Sequence, residues 1–428
     1  MKNLKGVIEA PRNMLTQSNR IIQEEIRSIK PKLFPDPFLS PKIVAKQKLK
    51  EAGYWSKNQQ MGRRWAIGCV ALEITQRCNL NCSLCYLSKN SKLVKDIPIK
   101  EVFRRIELIR KSYGKNTDIQ ITGGEPALRK KEELLTIVRQ IRLMEMRPTL
   151  MTNGIKVTRP LLEELAEVGL IDIAFHVDLT QNREEFKTEE ELNKIRQKYI
   201  DLCEGLPLSV IFNTTIYHGN YHEIPDLVRF FTNNTSVVQM AAFQLQTSTG
   251  RSIYKKRAPV ITIENVIKQI EIGANTPINF NSSIPGHPQC NRYGLCLEIN
   301  GNLYDCFDDT VFIGRMLTAT SDIEWDRRSH INTIKKIAKW LIVHPSYILQ
   351  VAKWIGGKVL SAKKDLVGSG GRIRKLSFFI HNFMEPCALQ SDRVHTCAFH
   401  VMTKDGLISM CLHNARRDDF IFNTKLAS

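Results

Sequence analysis

The run Cys78-Asn-Leu-Asn-Cys82-Ser-Leu-Cys85-Tyr86 places three thiols at CxxxCxxC spacing on one short loop. Thiolates so spaced can point at one centre, and cysteine sulfur suits iron–sulfur clusters and zinc. A four-iron cluster accepts four cysteine ligands, so three from this loop leave one iron open to another ligand. A zinc site completed by Cys69 or Cys203 is the alternative use of the same thiols. A second candidate run is Thr122-Gly123-Gly124-Glu125-Pro126. Its paired glycines would let a ligand approach the backbone closely. The plainer alternative is a turn into a helix with Pro126 at the first position.

Six more cysteines follow at Cys290, Cys296, Cys306, Cys387, Cys397 and Cys411. Two passages echo one another, Cys290-x10-Gly301-x4-Cys306 and Cys397-x8-Gly406-x4-Cys411, each with an Asn-Gly or Asp-Gly hairpin turn between its thiols. Such hairpins could supply Cys290, Cys306, Cys397 and Cys411 to one metal, with Cys387 and Cys296 as spares or members of another centre. Buried structural cysteines are the alternative. Single polar residues at apolar-run ends add Asn153, His176, Asp178 and Asn213, with Gln244 and Gln246 alternating on one run. Each could contact a cofactor or simply be a buried polar group satisfied within the fold.

These residues need a scaffold, and the middle of the chain supplies one. Val70–Thr75, 118–122, 149–152, 171–178, 208–215 and 237–246 read as strands, rich in Ile, Val, Leu and Phe. Between them Val102, Ile106 and Ile109 recur at helical spacing, as do the apolar positions of 131–146, 160–168, 189–203, 223–231 and 263–272. Six strand–helix units predict an α/β fold, a partial (β/α)6 barrel with its chemistry at the C-terminal strand ends. The cysteine loop follows the first strand, and Gly123–Pro126 follows the second.

The order and combination of these two motifs resemble the radical SAM superfamily over roughly residues 67–276. The resemblance implies that Cys78, Cys82 and Cys85 hold a [4Fe–4S] cluster whose open iron chelates S-adenosylmethionine. It implies that Gly123, Gly124, Glu125 and Pro126 bind the methionine amino group, with Asn153, His176, Asp178 and Asn213 as further cofactor contacts. It also implies an electron donor such as flavodoxin or ferredoxin. The later thiols are similar to the SPASM-type auxiliary-cluster extensions, which implies a second iron–sulfur or mononuclear centre on Cys290, Cys306, Cys387, Cys397 and Cys411. The dense CxxC run of those extensions is missing here. Phe243–Arg251 and the tail from Phe383 to Asn414 resemble the branch containing tetraether lipid synthase and a pterin methyltransferase, although Asn81 and Ser83 depart from that branch's proline-rich loop.

Of 428 residues, 43% are hydrophobic and 25% charged, which describes a globular chain rather than a disordered one. The net charge of +19 is concentrated. Residues 1–70 carry fourteen basic and five acidic side chains, and 331–376 carry ten basic ones with only Asp365 opposing them. The expected organisation is a basic arm at 1–66 anchored by Trp55 and Trp65, a core barrel at 67–285, and a metal-binding extension at 286–428. Within the extension, Trp340, Tyr347 and Trp354 alternate with lysines across 333–366. That segment suits either a helical hairpin packed on the barrel or an interfacial helix on an anionic membrane. Nucleic acid is a poorer partner, since no RNA-binding module accompanies the charge, and Gly368–Gly371 lacks a phosphate loop's Lys-Ser/Thr. Eleven cysteines and an N-terminus without a long apolar region lead to the expectation of a cytoplasmic protein, free or peripheral on the inner membrane face.

The expected activity is therefore hydrogen abstraction from an unreactive carbon of a small-molecule or lipid substrate, followed by methylation, carbon–carbon coupling or rearrangement. A peptide-modifying maturase and a non-catalytic, zinc-stabilised scaffold for membrane or RNA are the competing readings.

Overall fold

A computed structural model describes residues 41–60, 69–183, 185–252, 261–324 and 330–421. Most of the basic arm expected at 1–66, including Trp65, lies outside the described residues; its 41–60 part contains helix α1 (Pro41–Glu51), with Lys46 over the Trp55 ring. The core is six parallel strands in chain order, β1 (Cys69–Thr75), β2 (Asp118–Gly123), β3 (Arg147–Thr152), β4 (Asp172–His176), β5 (Ser209–Ile216) and β6 (Val238–Leu245). Helices α2 (Ile99–Tyr113), α3 (Lys131–Leu143), α4 (Arg159–Glu167), α5 (Asn193–Cys203), α6 (Ile224–Asn233) and α7 (Ile263–Ala274) separate them in the chain and follow the last.

The strands alternate because a strand side chain turns to the opposite face at each residue. Val70, Leu72 and Ile74 enter the main core, where α2 presents Val102, Ile106, Ile109 and Tyr113. Ala71 and Glu73 line the barrel interior instead. The same switch puts Ile119 and Ile121 in that core while Gln120 and Thr122 line the interior. The expected partial barrel is present, with strand limits within a few residues of those read from sequence.

The cysteine-rich segment is not a separate layer of the fold. Its strands β7 (Asn291–Ile299), β8 (Asn302–Asp305), β9 (Arg374–His381), β10 (Phe399–Thr403) and β11 (Gly406–Ser409) join both edges of the same sheet, in the order β11-β10-β1-β2-β3-β4-β5-β6-β9-β7-β8. β9 runs parallel beside β6 and β10 parallel beside β1, so the barrel arc holds eight parallel strands. No backbone ladder joins β9 to β10 among the described residues; His381 and Phe383, at and just after the end of β9, pack against Phe399 of β10, with ring centroids 6.2 Å apart in each case. Both expected hairpins form, β7–β8 around Asn300-Gly301 and β10–β11 around the turn before Gly406.

Helices α8 (Thr310–Ala319), α9 (His330–Val343), α10 (Ile348–Ser361) and α11 (Lys363–Gly368) connect β8 to β9. The short α12 (Ser391–His395) precedes β10, and α13 (Met410–Ala415) and α14 (Arg417–Ile421) end the described chain. Among the described residues, no helix is long and apolar enough to cross a membrane.

Candidate active site

The cysteine loop leaves β1 at the C-terminal end of the barrel and is fastened from three sides. At its root, the Gly124 and Glu125 N–H groups donate to the Thr75 and Arg77 carbonyls at 2.8 Å each. That closeness explains the paired glycines. A Cβ on Gly123, whose φ is +126°, would sit 1.9 Å from the Thr75 carbonyl oxygen, and one on Gly124 would sit 2.1 Å from that of Arg77. The backbone that needs this room is the loop's own, where the sequence reading had expected a ligand. From the second side, the Ser83 N–H donates to the Thr180 carbonyl at 2.6 Å. From the third, after β6, the Arg251 N–H reaches the Cys85 and Leu87 carbonyls at 2.9 and 3.0 Å, and its guanidinium reaches Asn81 and Ser91.

Cys78, Cys82 and Cys85 line one cavity with Gly123, Gly124, Glu125 and Asn153. Burial pushes the Cys82 thiol well up, and the neighbouring Cys85, Asp178 and Cys78 add to it. The zinc alternative fails on geometry. Cys69 begins β1, six residues and about 20 Å of strand from its loop end, while Cys203 is buried in the main core at the end of α5.

The Glu125 side chain is completely buried and accepts from Ala127 N at 2.9 Å, Thr152 Oγ1 at 2.8 Å and Asn153 N at 2.7 Å. Burial raises its pKa in spite of these donors. Among the described residues no cation accompanies it, so an ammonium reaching this carboxylate would offset the desolvation cost. Pro126 opens a single short 3-10 turn, as the plainer reading of that motif had it. Asn213 also lines the cavity, and its buried Oδ1 lacks a hydrogen-bond partner. His176 lines it with Nε2 held by Asp178 Oδ2 at 2.7 Å. Asp178 itself stands behind His176, fully buried and accepting from Thr180 and Thr215, so its influence on a bound ligand passes through His176. Gln244 lines the cavity wall and Gln246 is not on it.

Sequence reasoning missed the roof. Phe383, Phe399, Met410 and Asn414 close the cavity from the C-terminal segment. Below them Glu73, on the inward face of β1, accepts from Arg417 Nη1 at 2.7 Å and from Gln76 Nε2 at 2.8 Å. The Arg417 guanidinium also stacks 4.5 Å over the Tyr86 ring, whose hydroxyl donates to the Gly123 carbonyl at 2.6 Å. An acidic residue at an inward strand position was the only available signal.

The second cysteine set divides. Burial raises Cys397 strongly and lifts Cys411 to about 11, and the charge of Cys290 adds to both shifts. Arg393 Nε donates to Cys290 Sγ at 3.2 Å, and Met384 N to Cys411 Sγ at 3.4 Å. Cys387 is exposed, three residues beyond Met384 on the loop that crosses Cys411. Cys306 does not join them. Its N–H bonds the Leu295 carbonyl, placing it beside Cys296 along β7, about 15 to 20 Å of strand from Cys290. Among the described residues, neither these thiols nor those of the Cys78–Cys85 loop are gathered closely enough, three or more together, to hold a metal ion as they stand.

Residues 72–231 match the family described as the Radical SAM superfamily. The chain is 32% identical over 207 residues to 7,8-dihydro-6-hydroxymethylpterin dimethyltransferase of Methanocaldococcus jannaschii, covering 47% of this chain and 40% of that one. It is 28% identical over 190 residues to a Pyrococcus abyssi protein named Probable GTP 3',8-cyclase, covering 44% and 60%. It therefore spans about half the length of these relatives. Among solved structures, Streptococcus suis SuiB aligns at 16% identity with a TM-score of 0.37, over 53% of this chain and 48% of that one.

Proposed function

From the match of residues 72–231 to the Radical SAM superfamily we propose that the chain is a radical SAM enzyme abstracting hydrogen from an unactivated substrate carbon. The observation that carries this reading is one cavity lined by three loop thiols, a buried Glu125 without a cation, and an unpartnered Asn213 amide oxygen. This donor set fits a [4Fe–4S] cluster on Cys78, Cys82 and Cys85, with S-adenosylmethionine presenting its ammonium to Glu125. When bound, the pair supplies one-electron cleavage of the sulfonium carbon–sulfur bond, with the electron from a reduced flavodoxin- or ferredoxin-type donor, giving methionine and a 5′-deoxyadenosyl radical that takes a substrate hydrogen atom.

The chain's own groups set the conditions for that chemistry. The three fastenings hold the thiols in one geometry. The buried carboxylate and the Asn153 amide orient the ligand, and Asn213 supplies an acceptor to a hydroxyl or amine. His176, held by Asp178, offers its ring at the far wall. Phe383, Phe399 and Met410 exclude water from the reacting carbon. Their apolar surface, with Leu80 and Leu84 opposite, supports a small or lipid-like substrate with a hydrophobic part. The likeness to the Methanocaldococcus protein, named a dimethyltransferase, supports methyl transfer as the outcome.

Cys290, Cys397 and Cys411, with Cys387 on the overlying loop, are proposed as a second metal centre, from which Cys306 is omitted. They lie where β9 and β10 meet only through side chains, so a bound metal would fasten the open seam of the barrel.

The test is anaerobic reconstitution with iron and sulfide, comparing the parent with a Cys78/Cys82/Cys85→Ala triple variant. The parent should give a reduced electron-spin-resonance signal that changes on adding S-adenosylmethionine. The variant should lose that signal and keep residual iron. A parent holding only zinc, with no response to S-adenosylmethionine, refutes the enzyme. A variant devoid of iron refutes the second centre.

A further inference from the structure

The α9–α10 hairpin presents a surface that the candidate site does not use, since none of its residues lines the cavity. Ten of the nineteen large exposed apolar side chains among the described residues fall between Ile331 and Val367. That concentration, in under a tenth of the chain, exceeds the scattered exposure normal for a protein surface. On α9, Ile331, Ile334, Ala338 and Ile342 recur at helical spacing on the outward face, with exposed Lys335 and Lys339 along its flank. On α10, Ile348, Ala352, Ile355 and Val359 form the outward stripe, widened by Leu349 at 81% and Leu360 at 70% exposure, with Lys353 beside it.

The opposite face of α10 holds the hairpin to the barrel. Trp354 packs on Phe312 of α8 with ring centroids 5.7 Å apart, and Lys358 pairs with Asp308. At the tip between the helices, Trp340 stacks on His344 at 4.4 Å and lies 4.9 Å from Tyr347. The hairpin is thus docked on one side and apolar on the other, with lysines and an aromatic cluster at the margin. An amphipathic helix that rests in a bilayer interface has this distribution.

We propose that this face binds the surface of an anionic lipid bilayer, with the outward aliphatic side chains in the acyl boundary and the flanking lysines on headgroup phosphates. Charge selects among occupants. Residues 331–376 carry ten basic side chains against Asp365 alone, so a second copy of the chain would oppose like charges. The N-terminal residues 1–40 also carry more basic than acidic side chains. A nucleic acid would neutralise the lysines but leave the aliphatic stripe in water. A bilayer with anionic headgroups satisfies both features. The proposal is independent of the radical chemistry and is tested without it.

The experiment is sedimentation of the full chain with phosphatidylcholine vesicles containing 30% phosphatidylglycerol, and with phosphatidylcholine alone, at low and high salt. Binding should favour the anionic vesicles and weaken with salt. A Lys335/Lys339/Lys353→Gln variant should lose about fivefold in affinity per lysine. An Ile342/Leu349/Leu360→Ser variant, altered only at exposed positions, should lose about tenfold or more with its charge intact. Thermal midpoints equal to the parent's will show that both variants remain folded. Equal binding of the parent to the two vesicle types, absence of binding, or affinity unchanged in either variant would overturn the proposal.

Discussion

Arg417→Met tests whether the C-terminal helix is held on the barrel by a buried charge pair. Arg417 Nη1 lies 2.7 Å from Glu73 Oε1, with side chains 2% and 5% exposed. Burial pushes the Glu73 carboxyl up, and the Arg417 guanidinium, with His413 behind it, more than reverses this and holds it below the usual carboxylate range. Removing one member of such a pair strands the other, at a cost of about 3–5 kcal/mol. Methionine keeps most of the arginine's length, so packing contributes little to the loss.

The sign of the pH dependence separates this account from a packing defect. In the parent, the depressed Glu73 pKa contributes stability that is present above the ordinary carboxylate pKa and lost as pH falls through the folded value. In Arg417→Met burial, the largest influence on Glu73, is opposed only by the Gln76 hydrogen bond and His413, so the folded pKa rises above the ordinary one. Glu73 then takes up a proton on folding, and the deficit shrinks by about 1.4 kcal/mol for each pH unit below the raised pKa. Urea denaturation followed by circular dichroism at pH 8 and pH 5.5 should show a larger deficit at pH 8. If only α13 and α14 undock, hydrogen exchange at amides 410–421 reports the same difference. A Glu73→Gln/Arg417→Met double variant should lose less than the single one, because no charge is stranded. A deficit under about 1 kcal/mol, or one equal at both pH values, would refute the reasoning.

Gly124→Ala should displace the root of the cysteine loop, costing about 1–3 kcal/mol and most of the iron bound by the loop; unchanged iron content and thermal midpoint would remove the steric explanation. Glu125→Gln should weaken S-adenosylmethionine binding at least about tenfold, about 1.4 kcal/mol, read by titrating the change in the reduced cluster's spectrum; parent-like affinity would deny the carboxylate that role. His400 and His413 are both held down to about pKa 4 by burial, so the unfolded chain binds more protons than the folded one between pH 6.5 and 4. Stability should therefore be flat above that window and fall as pH drops through it. His400→Gln should flatten part of the fall in thermal midpoint, and an unchanged slope would show that other groups govern it.

The parts of this molecule that sequence displays are those within one supersecondary unit. The six strands announced themselves because outward positions such as Val70, Leu72 and Ile74 are apolar while inward ones tolerate Glu73, Gln120, Thr122, Asn213 and Gln244. The two motifs were visible because each is a single loop, and their proximity followed from neighbouring parallel strands. What the glycines do was not visible, since nothing local distinguishes room for a ligand from room for the Thr75 and Arg77 carbonyls.

The C-terminal thiols show where local reading must stop. Pairing each hairpin's own cysteines was reasonable from the turn chemistry, and both turns form. Yet β7–β8 attaches at the β9 edge and β10–β11 at the β1 edge, and strand order between distant segments is set by tertiary packing rather than by turns. Cys290, just before β7, consequently shares an electrostatic environment with Cys397 and Cys411 of the other hairpin, while its hairpin partner Cys306 remains farther along the strand. On the β1 edge, tertiary packing likewise unites Glu73 with Arg417 across 344 residues. Across the seam itself the two edges of the arc meet through the rings of His381, Phe383 and Phe399. A metal bound there would act first on barrel closure, so its removal should loosen the roof residues Phe383, Phe399 and Met410 before it disturbs β2 to β5.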